Sequence, residues 1–386
     1  MSVLLKNIRI IDADTDRVTN ILIDKDNFIK FENNTNDTSA MEIITGENLG
    51  LFPSFIDLHC HLRDPGYTYK EDLESGQQAA LAGGFTTICC MANTLPVCDN
   101  PETINYIINK AQKLALCNVI PVSAVTYGLD TTNLVDFEKM ITYTRLFSND
   151  GIPIKDENTM IKALQASTKY NFKILTHCEP ETEIITRDLE LLKLYGGNLH
   201  ICHVSKKDSL QIIRKAKSKG LEFSCEVTPH HLFSYDLDYM VHPPFRKKED
   251  AEALLEGLLD GTVDIIATDH APHSSEDKLK GARGLIEFDH AFSLVYTLFK
   301  KYNISIQLLS KLMSEKPAKL LGIEKTSFLS EIYSKANFVL IDLSKKYEIN
   351  RHTLHSKAGN TPFLGQVVYG KILMTFKEGK IKYDNR

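Results

Sequence analysis

Two patterns of apolar and polar positions divide the 386-residue chain. Over residues 1–50, short apolar pieces (Val3–Leu5, Ile8–Ile11, Ile21–Ile23, Phe28-Ile29) are separated by Asp, Asn and Gly, which predicts a small antiparallel sheet. The C-terminal end repeats the pattern in Phe338–Ile341, Val367–Tyr369, Ile372–Thr375 and Ile381–Tyr383, punctuated by Gly365, Gly370 and Gly379. Each end alone is too short to bury a core of its own. Residues 1–50 and 335–386 are therefore expected to build one β-domain, sandwich-like, from both termini.

The middle reads differently. Strand-like runs occur at Phe55–Leu58, Thr86–Met91, Val119–Ala124, Tyr143–Phe147, Phe172–Leu175, Leu199–Val204, Leu221–Val227 and Val263–Ala267. Amphipathic segments such as Glu71–Ala82, Thr103–Ala115, Thr159–Thr168, Ser209–Lys217 and Glu249–Leu259 lie between them, and Asp289–Lys300 then Ile304–Met313 follow the last. Eight runs with intervening helices over residues 51–334, close to the roughly 250 residues typical of the fold, predict an α/β chain built on a (β/α)8 TIM barrel.

Composition narrows the function classes. Hydrophobic content of 43% and charged content of 25% are ordinary for a globular chain, so disordered and fibrous classes fit poorly. Forty-five Lys and Arg against 50 Asp and Glu leave a net charge of -5, which argues against a nucleic-acid partner. No apolar run reaches the length of a membrane span and Met1–Asp12 lacks a signal pattern, so a cytoplasmic location without membrane attachment is expected. The eight cysteines show no Cys-x-x-Cys spacing and are read as reduced core residues, with Cys60, Cys178 and Cys202 pointing away from the neighbouring histidines. The 13 histidines remain to be explained.

The unusual polar residues fall at the ends of the strand runs: His59 and His61 after the first, Asn93 the second, Asp150 the fourth, His177 the fifth, His203 the sixth, Asp269 the eighth. In a barrel these ends converge on one mouth. His59 and His61, two apart on an extended segment, share a face, as a chelating pair would. Four imidazoles and two carboxylates suit one or two borderline metals, most simply zinc, with Asp150 able to give one oxygen to each. Taken singly, each has a plainer reading: His177 as a core histidine, Asp150-Gly151 as a turn, Asp269 as an unremarkable neighbour of His270. Turn chemistry does not require all six at strand ends, and that coincidence favours the metal. Arg63, two residues past His61, presents a planar fork suited to a carboxylate, against the plainer reading of a solvated surface arginine.

The run Phe55-Ile56-Asp57-Leu58-His59-Cys60-His61-Leu62-Arg63-Asp64-Pro65-Gly66 resembles the signature of the cyclic amidohydrolases, and in particular of the dihydroorotase family. The resemblance continues through Gly83–Thr87, Met91–Thr94, Thr176–Glu179 and Ile201–Ser205, then Glu226–Leu232, Pro243–Arg246, Ala267–His273 and Asn360–Gly365, in order over essentially the whole chain. It implies a zinc-dependent, reversible cyclisation of N-carbamoyl-L-aspartate to L-dihydroorotate in pyrimidine biosynthesis. His59 and His61 would hold the more buried of two zinc ions, His177 and His203 the second, with Asp150 and a hydroxide bridging. Asp269 would be both a metal ligand and the proton shuttle, while Arg63, Asn93 and His273 bind the substrate carboxylate.

Hydantoinase-type relatives use a carboxylated lysine as the bridge; Asp150 resembles the aspartate subclass of bacterial-type dihydroorotases, and Lys155 reads as a surface residue. Departures from the family fall in substrate loops: Ala92 replaces a usual proline, His242 replaces an asparagine before Pro243, and Gly284-Leu285-Ile286-Glu287 interrupts a Gly-Leu-Glu motif. His230 and His231 read either as partners behind a zinc ligand or as core residues, and His200 as lying on the strand face opposite His203. Ser274–Gly284, with glycines at 281 and 284, has the composition of a lid. Alternatives within and outside the enzyme class are a hydantoinase or allantoinase, and a non-catalytic assembly subunit for aspartate transcarbamoylase. The resemblance leaves open a homodimer and an association of the active enzyme with aspartate transcarbamoylase.

Overall fold

The computed structural model describes residues 3–23, 29–31, 42–323 and 337–386. Phe28 and the boundary expected between 334 and 335 lie outside the described residues.

The N-terminal strands are β1 (Val3–Ile11), β2 (Asp16–Ile23), β3 (Ile29–Phe31), β4 (Glu42–Thr45) and β5 (Leu49–Pro53). The barrel strands follow: β6 (Phe55–Cys60), β7 (Phe85–Cys90), β8 (Asn118–Pro121), β9 (Leu146–Ser148), β10 (Lys173–Thr176), β11 (Leu199–Ile201), β12 (Ser224–Val227) and β13 (Ile265–Ile266). The chain ends in β14 (Phe338–Glu348), β15 (Val367–Lys377) and β16 (Lys380–Asp384). Each predicted strand run holds a barrel strand, and helices connect them. One of these, Glu181–Tyr195, was not among the segments picked out by amphipathic pattern.

Both termini share one mixed sheet, in the order β16-β15-β14-β5-β1-β2-β3 with β4 on β1. The start of β1 pairs with β4 and its end with β5, both parallel, so the sheet bends along β1 around a core of Leu5, Ile10, Leu51, Phe338, Leu340 and Phe376. A single end could not have closed this core, which takes its apolar side chains from both.

Strands β6–β8 and β9–β13 form two parallel sheets. Bridges between Ser123 and Phe147 and between Cys60 and His270 join them into one ring. Inside the ring, Ile56, Leu58, Met91, Val122, Leu175 and Ile265 pack together, and Ala318 packs against the same cluster. Such filling makes the barrel a solid core and leaves only its mouth for chemistry.

The terminal sheet meets the barrel at an aromatic seam. Phe292 stacks on Phe55 at 5.4 Å and meets Phe52 edge-on at 5.8 Å. Gly370, at φ +86, lets the backbone of β15 approach this ring, since a Cβ there would sit 2.7 Å from Phe292. Truncating Phe292 to alanine removes a fully enclosed ring, and we expect a loss of about 3–5 kcal/mol in urea unfolding. A loss under about 1 kcal/mol would show that the seam does not join the two parts.

Candidate metal centre

Each of the expected metal ligands reaches the barrel mouth through a specific backbone device. His59 and His61 leave β6 beside a register shift against β7 and end with their rings 5.5 Å apart. Asp150 follows β9, where Asn149 accepts hydrogen bonds from the Val125 and Thr126 amides at 3.0 and 3.2 Å and locks the strand end. Asp269 is set by its neighbour Thr268, whose amide and hydroxyl both donate to the buried Asp57 carboxylate at 2.8 and 2.6 Å. His203 lies in a turn held by Glu181, which accepts from the Ser205 and Lys206 amides. His203, Asp269 and Arg63 all adopt positive φ (35°, 49° and 59°), a conformation that non-glycine residues tolerate only where the surroundings enforce it.

The resulting geometry centres on Asp150. Its Oδ1 lies 3.3 Å from His59 Nε2, 3.5 Å from His177 Nδ1 and 3.6 Å from His203 Nε2, and its Oδ2 lies 3.4 Å from His61 Nε2. Asp269 Oδ1 stands 3.1 Å from His61 Nε2 and 3.5 Å from His59 Nε2. These atoms form overlapping groups with metal-ligand spacing: His59, His61 and Asp150; Asp150, His177 and His203; His59, His203 and Asp269. Buried His59 Nε2 and Asp150 Oδ1 have no hydrogen-bond partner, a costly state for polar atoms unless something else binds them. Nitrogen and carboxylate donors orphaned around one space fit a pair of borderline cations. The site is a buried binuclear metal-binding site.

Electrostatics agree. Burial pushes the Asp150 and Asp269 carboxyls up, but the surrounding imidazoles outweigh it and hold both well below the carboxylate range. Burial opposes charge on His59 and His203, yet the two carboxylates raise both above the ordinary histidine value. His61 moves the other way, through burial and the nearby Arg63.

Around this core the structure both meets and corrects expectation. Arg63 is buried at 9% exposure, donates to the Pro272 carbonyl at 3.2 Å, and lies 3.2 Å from His273 Nε2. His273 is kept neutral, its pKa lowered to about 3 by burial and by Arg63 and Lys70. Asn93 bonds His61, its Oδ1 2.8 Å from Nδ1. Lys155 is exposed. Neither His230 nor His231 hydrogen-bonds a ligand: His230 meets Glu287 at 2.9 Å, and His231 meets Thr228 at 2.7 Å and the Pro243 carbonyl at 3.1 Å. The ring of His242 lies tilted against that of His177, 4.9 Å away, at the mouth.

Two orientations expected from simple alternation are corrected. His200 and Cys202 point into the barrel interior, Cys202 grouping with His59 and Glu226. The reason is that β11 ends at Ile201 and the positive φ at His203 turns the third side chain to the same side. All eight cysteines are free and buried. Burial raises the Cys202 thiol above its ordinary value.

One residue was overlooked. Glu226, wholly buried, sits 2.7 Å from His59 Nδ1; burial pushes its carboxyl up, but His59 and His200 more than offset this and hold it at about 2. A carboxylate near the end of the strand run Leu221–Val227, two residues after Ser224, is the signal.

The segment Ser274–Gly284 contains a short helix, Ser275–Leu279, capped by Ser274. Asp277 ties it to Tyr69 at 3.3 Å and to Lys70 at 3.5 Å beside the mouth.

Residues 49–205 match the model of a family described as dihydro-orotase-like. The chain is 40% identical to a dihydroorotase of Clostridium botulinum over 99% of its own length and 100% of that relative. It is 36% identical to a dihydroorotase of Aquifex aeolicus, over 99% of both. The chain belongs to the dihydroorotase family.

Among solved structures, it superposes on L-hydantoinase from Arthrobacter aurescens with a TM-score of 0.86 at 23% identity, covering 98% of this chain and 95% of that one. A dihydropyrimidinase from Brevibacillus agri gives 0.83 at 21%, covering 99% and 95%. At such identities the likeness is one of fold. Family membership and the binuclear site together make the chain an enzyme, a cyclic amidohydrolase acting on a pyrimidine-like substrate.

A metal must displace protons held on His59 and His203, whose pKa values are raised. Metal affinity is therefore expected to weaken as pH falls, starting above the usual histidine value of about 6.5. Chelator competition across pH reads this; an affinity flat down to about pH 5 would contradict it. Asp150→Ala is expected to lower the metal content of reconstituted protein from two ions to one or none, and two retained ions would exclude Asp150 as the bridge.

Proposed function

We propose that the enzyme interconverts N-carbamoyl-L-aspartate and L-dihydroorotate in pyrimidine biosynthesis, with two zinc ions held by His59, His61, Asp150, His177, His203 and Asp269. The observation that carries this reading is a buried arginine beside the metal site. Arg63 spends one N–H on a carbonyl, and its other donors have no carboxylate partner among the described residues. A buried guanidinium with spare donors calls for an anion, and dihydroorotate carries a carboxylate where uncharged ring amides carry none.

Zinc bound there supplies a hydroxide at neutral pH and polarises an amide carbonyl. The chain's own residues do the rest. Arg63, with neutral His273 and the amide of Asn93, fixes the substrate carboxylate and hence the orientation of the ring. Asp269, ionised and facing the same space as His59 and His61, takes the proton of the attacking water and returns it to the departing nitrogen. In the cyclisation direction the same carboxylate accepts the proton from the carbamoyl nitrogen, as reversibility requires.

Eight free cysteines accord with a reducing compartment, and no helix among the described residues is long and apolar enough to cross a membrane. We place the enzyme in the cytoplasm.

The test is turnover of both compounds by zinc-loaded enzyme, wild type against Arg63→Met. Removing a buried charged donor costs about 2–5 kcal/mol, so kcat/KM is expected to fall about 30-fold or more, mostly through KM because the carboxylate is bound throughout the reaction. Failure to turn over either compound with two zinc ions bound would overturn the assignment. So would turnover of hydantoin or allantoin that ignores Arg63→Met.

A further inference from the structure

A line of buried polar side chains runs beneath the metal centre, through a barrel interior filled mainly by apolar side chains. Glu226 Oε1 is 2.7 Å from His59 Nδ1, Glu226 Oε2 is 2.9 Å from His200 Nε2, and His200 Nδ1 is 2.7 Å from Ser224 Oγ. His59, Glu226 and His200 have no exposed surface and Ser224 has 5%. Ser224 opens β12, at the end of the barrel opposite the mouth, where it lines a cavity of about 420 Å³ together with Lys173, Asp264 and Lys316.

With Glu226 ionised, His200 neutral and a metal on His59 Nε2, donor and acceptor counting assigns the protons along this line. An ionised carboxylate only accepts, so His59 Nδ1–H and His200 Nε2–H both donate to Glu226. A neutral His200 then has a lone pair at Nδ1, and it must receive the Ser224 hydroxyl proton. His59 with its proton on Nδ1 has its lone pair on Nε2, the atom that faces Asp150 and Asp269 and has no partner. A metal can take that lone pair only while the proton stays on Nδ1.

We propose that Glu226, His200 and Ser224 are positioning residues, forming a relay along the barrel axis that fixes the tautomer and orientation of His59 and makes metal retention depend on a hydroxyl at the far end of the barrel. The inference rests on the metal centre described above. Glu226 alone could be an ordinary partner of a ligand. Ser224 is uncharged and reaches His59 only through His200 and Glu226. If its hydroxyl is lost, His200 either keeps a buried lone pair unsatisfied or moves its proton to Nδ1 and abandons Glu226.

The experiment measures zinc retention by chelator competition on the full chain for wild type, Glu226→Gln, Ser224→Ala and Ser224→Thr, with thermal unfolding of the metal-free proteins as a folding control. Glutamine cannot accept from both histidines, and a loss of about 10–100-fold in affinity for one of two zinc ions is expected. Ser224→Ala is expected to lose about 3–10-fold, by the same principle acting through one more bond. Ser224→Thr keeps the hydroxyl and is expected to stay near wild type. Wild-type retention in Ser224→Ala would overturn the relay, and equal loss in alanine and threonine variants would reduce it to packing. If Glu226→Gln does not fold, the Ser224 pair decides alone. Wild-type protein that binds no zinc would refute the metal centre itself, a different outcome from any of these.

Discussion

Asp150 is approached by four imidazoles at 3.3 to 3.6 Å, in a pocket from which water is largely excluded. Burying a carboxylate this way is costly unless cations or strong donors surround it, and a second carboxylate, Asp269, shares the same space. The rest of the mouth answers that constraint. Imidazoles turn ring nitrogens toward the carboxylates, leaving His59 Nε2 and Asp150 Oδ1 without hydrogen-bond partners, and Glu226 anchors the back of His59. Cations placed among these groups satisfy both the negative charge and the orphaned lone pairs. The same charge density would suit a bound metal to hydrolytic use, and it accords with Arg63, rather than another carboxylate, lining the next position outward.

The barrel supplies convergence, but not by regular strands alone. Strands β11 and β13 are three and two residues long, and the candidate ligands beyond them, His203 and Asp269, sit at positive φ. Hydrogen bonds donated to Glu181 by the turn after His203, and to Asp57 by Thr268, hold these conformations. Short strands with locked ends trade regular pairing for side-chain placement at the mouth. The terminal sheet contributes at a distance: its aromatic seam with Phe55 and Phe292 packs against the strand that carries His59 and His61.

Much of this was legible from the chain. Alternation predicted the strands because each barrel strand is an apolar run bounded by polar residues, and the chemistry-bearing residues stood at those boundaries. Convergence of His59, Asp150, His177, His203 and Asp269 then followed from the barrel alone. What alternation could not read were positions where backbone geometry departs from it. The positive φ at His203 turned that residue to the face of His200 and Cys202, against alternation, and Glu226 stayed hidden because a motif explained its neighbours without requiring a partner for His59 Nδ1. The helix Glu181–Tyr195 was missed although it carries the carboxylate that fixes the His203 turn.

The central claim is that one aspartate joins two metals in this mouth. Anomalous diffraction at the zinc edge from zinc-loaded crystals tests it most directly. Two peaks are predicted, each about 2.0–2.2 Å from its ligands, one on His59 and His61, the other on His177 and His203, with Asp150 giving an oxygen to each. A single peak, or peaks that leave Asp150 unbound, would contradict it.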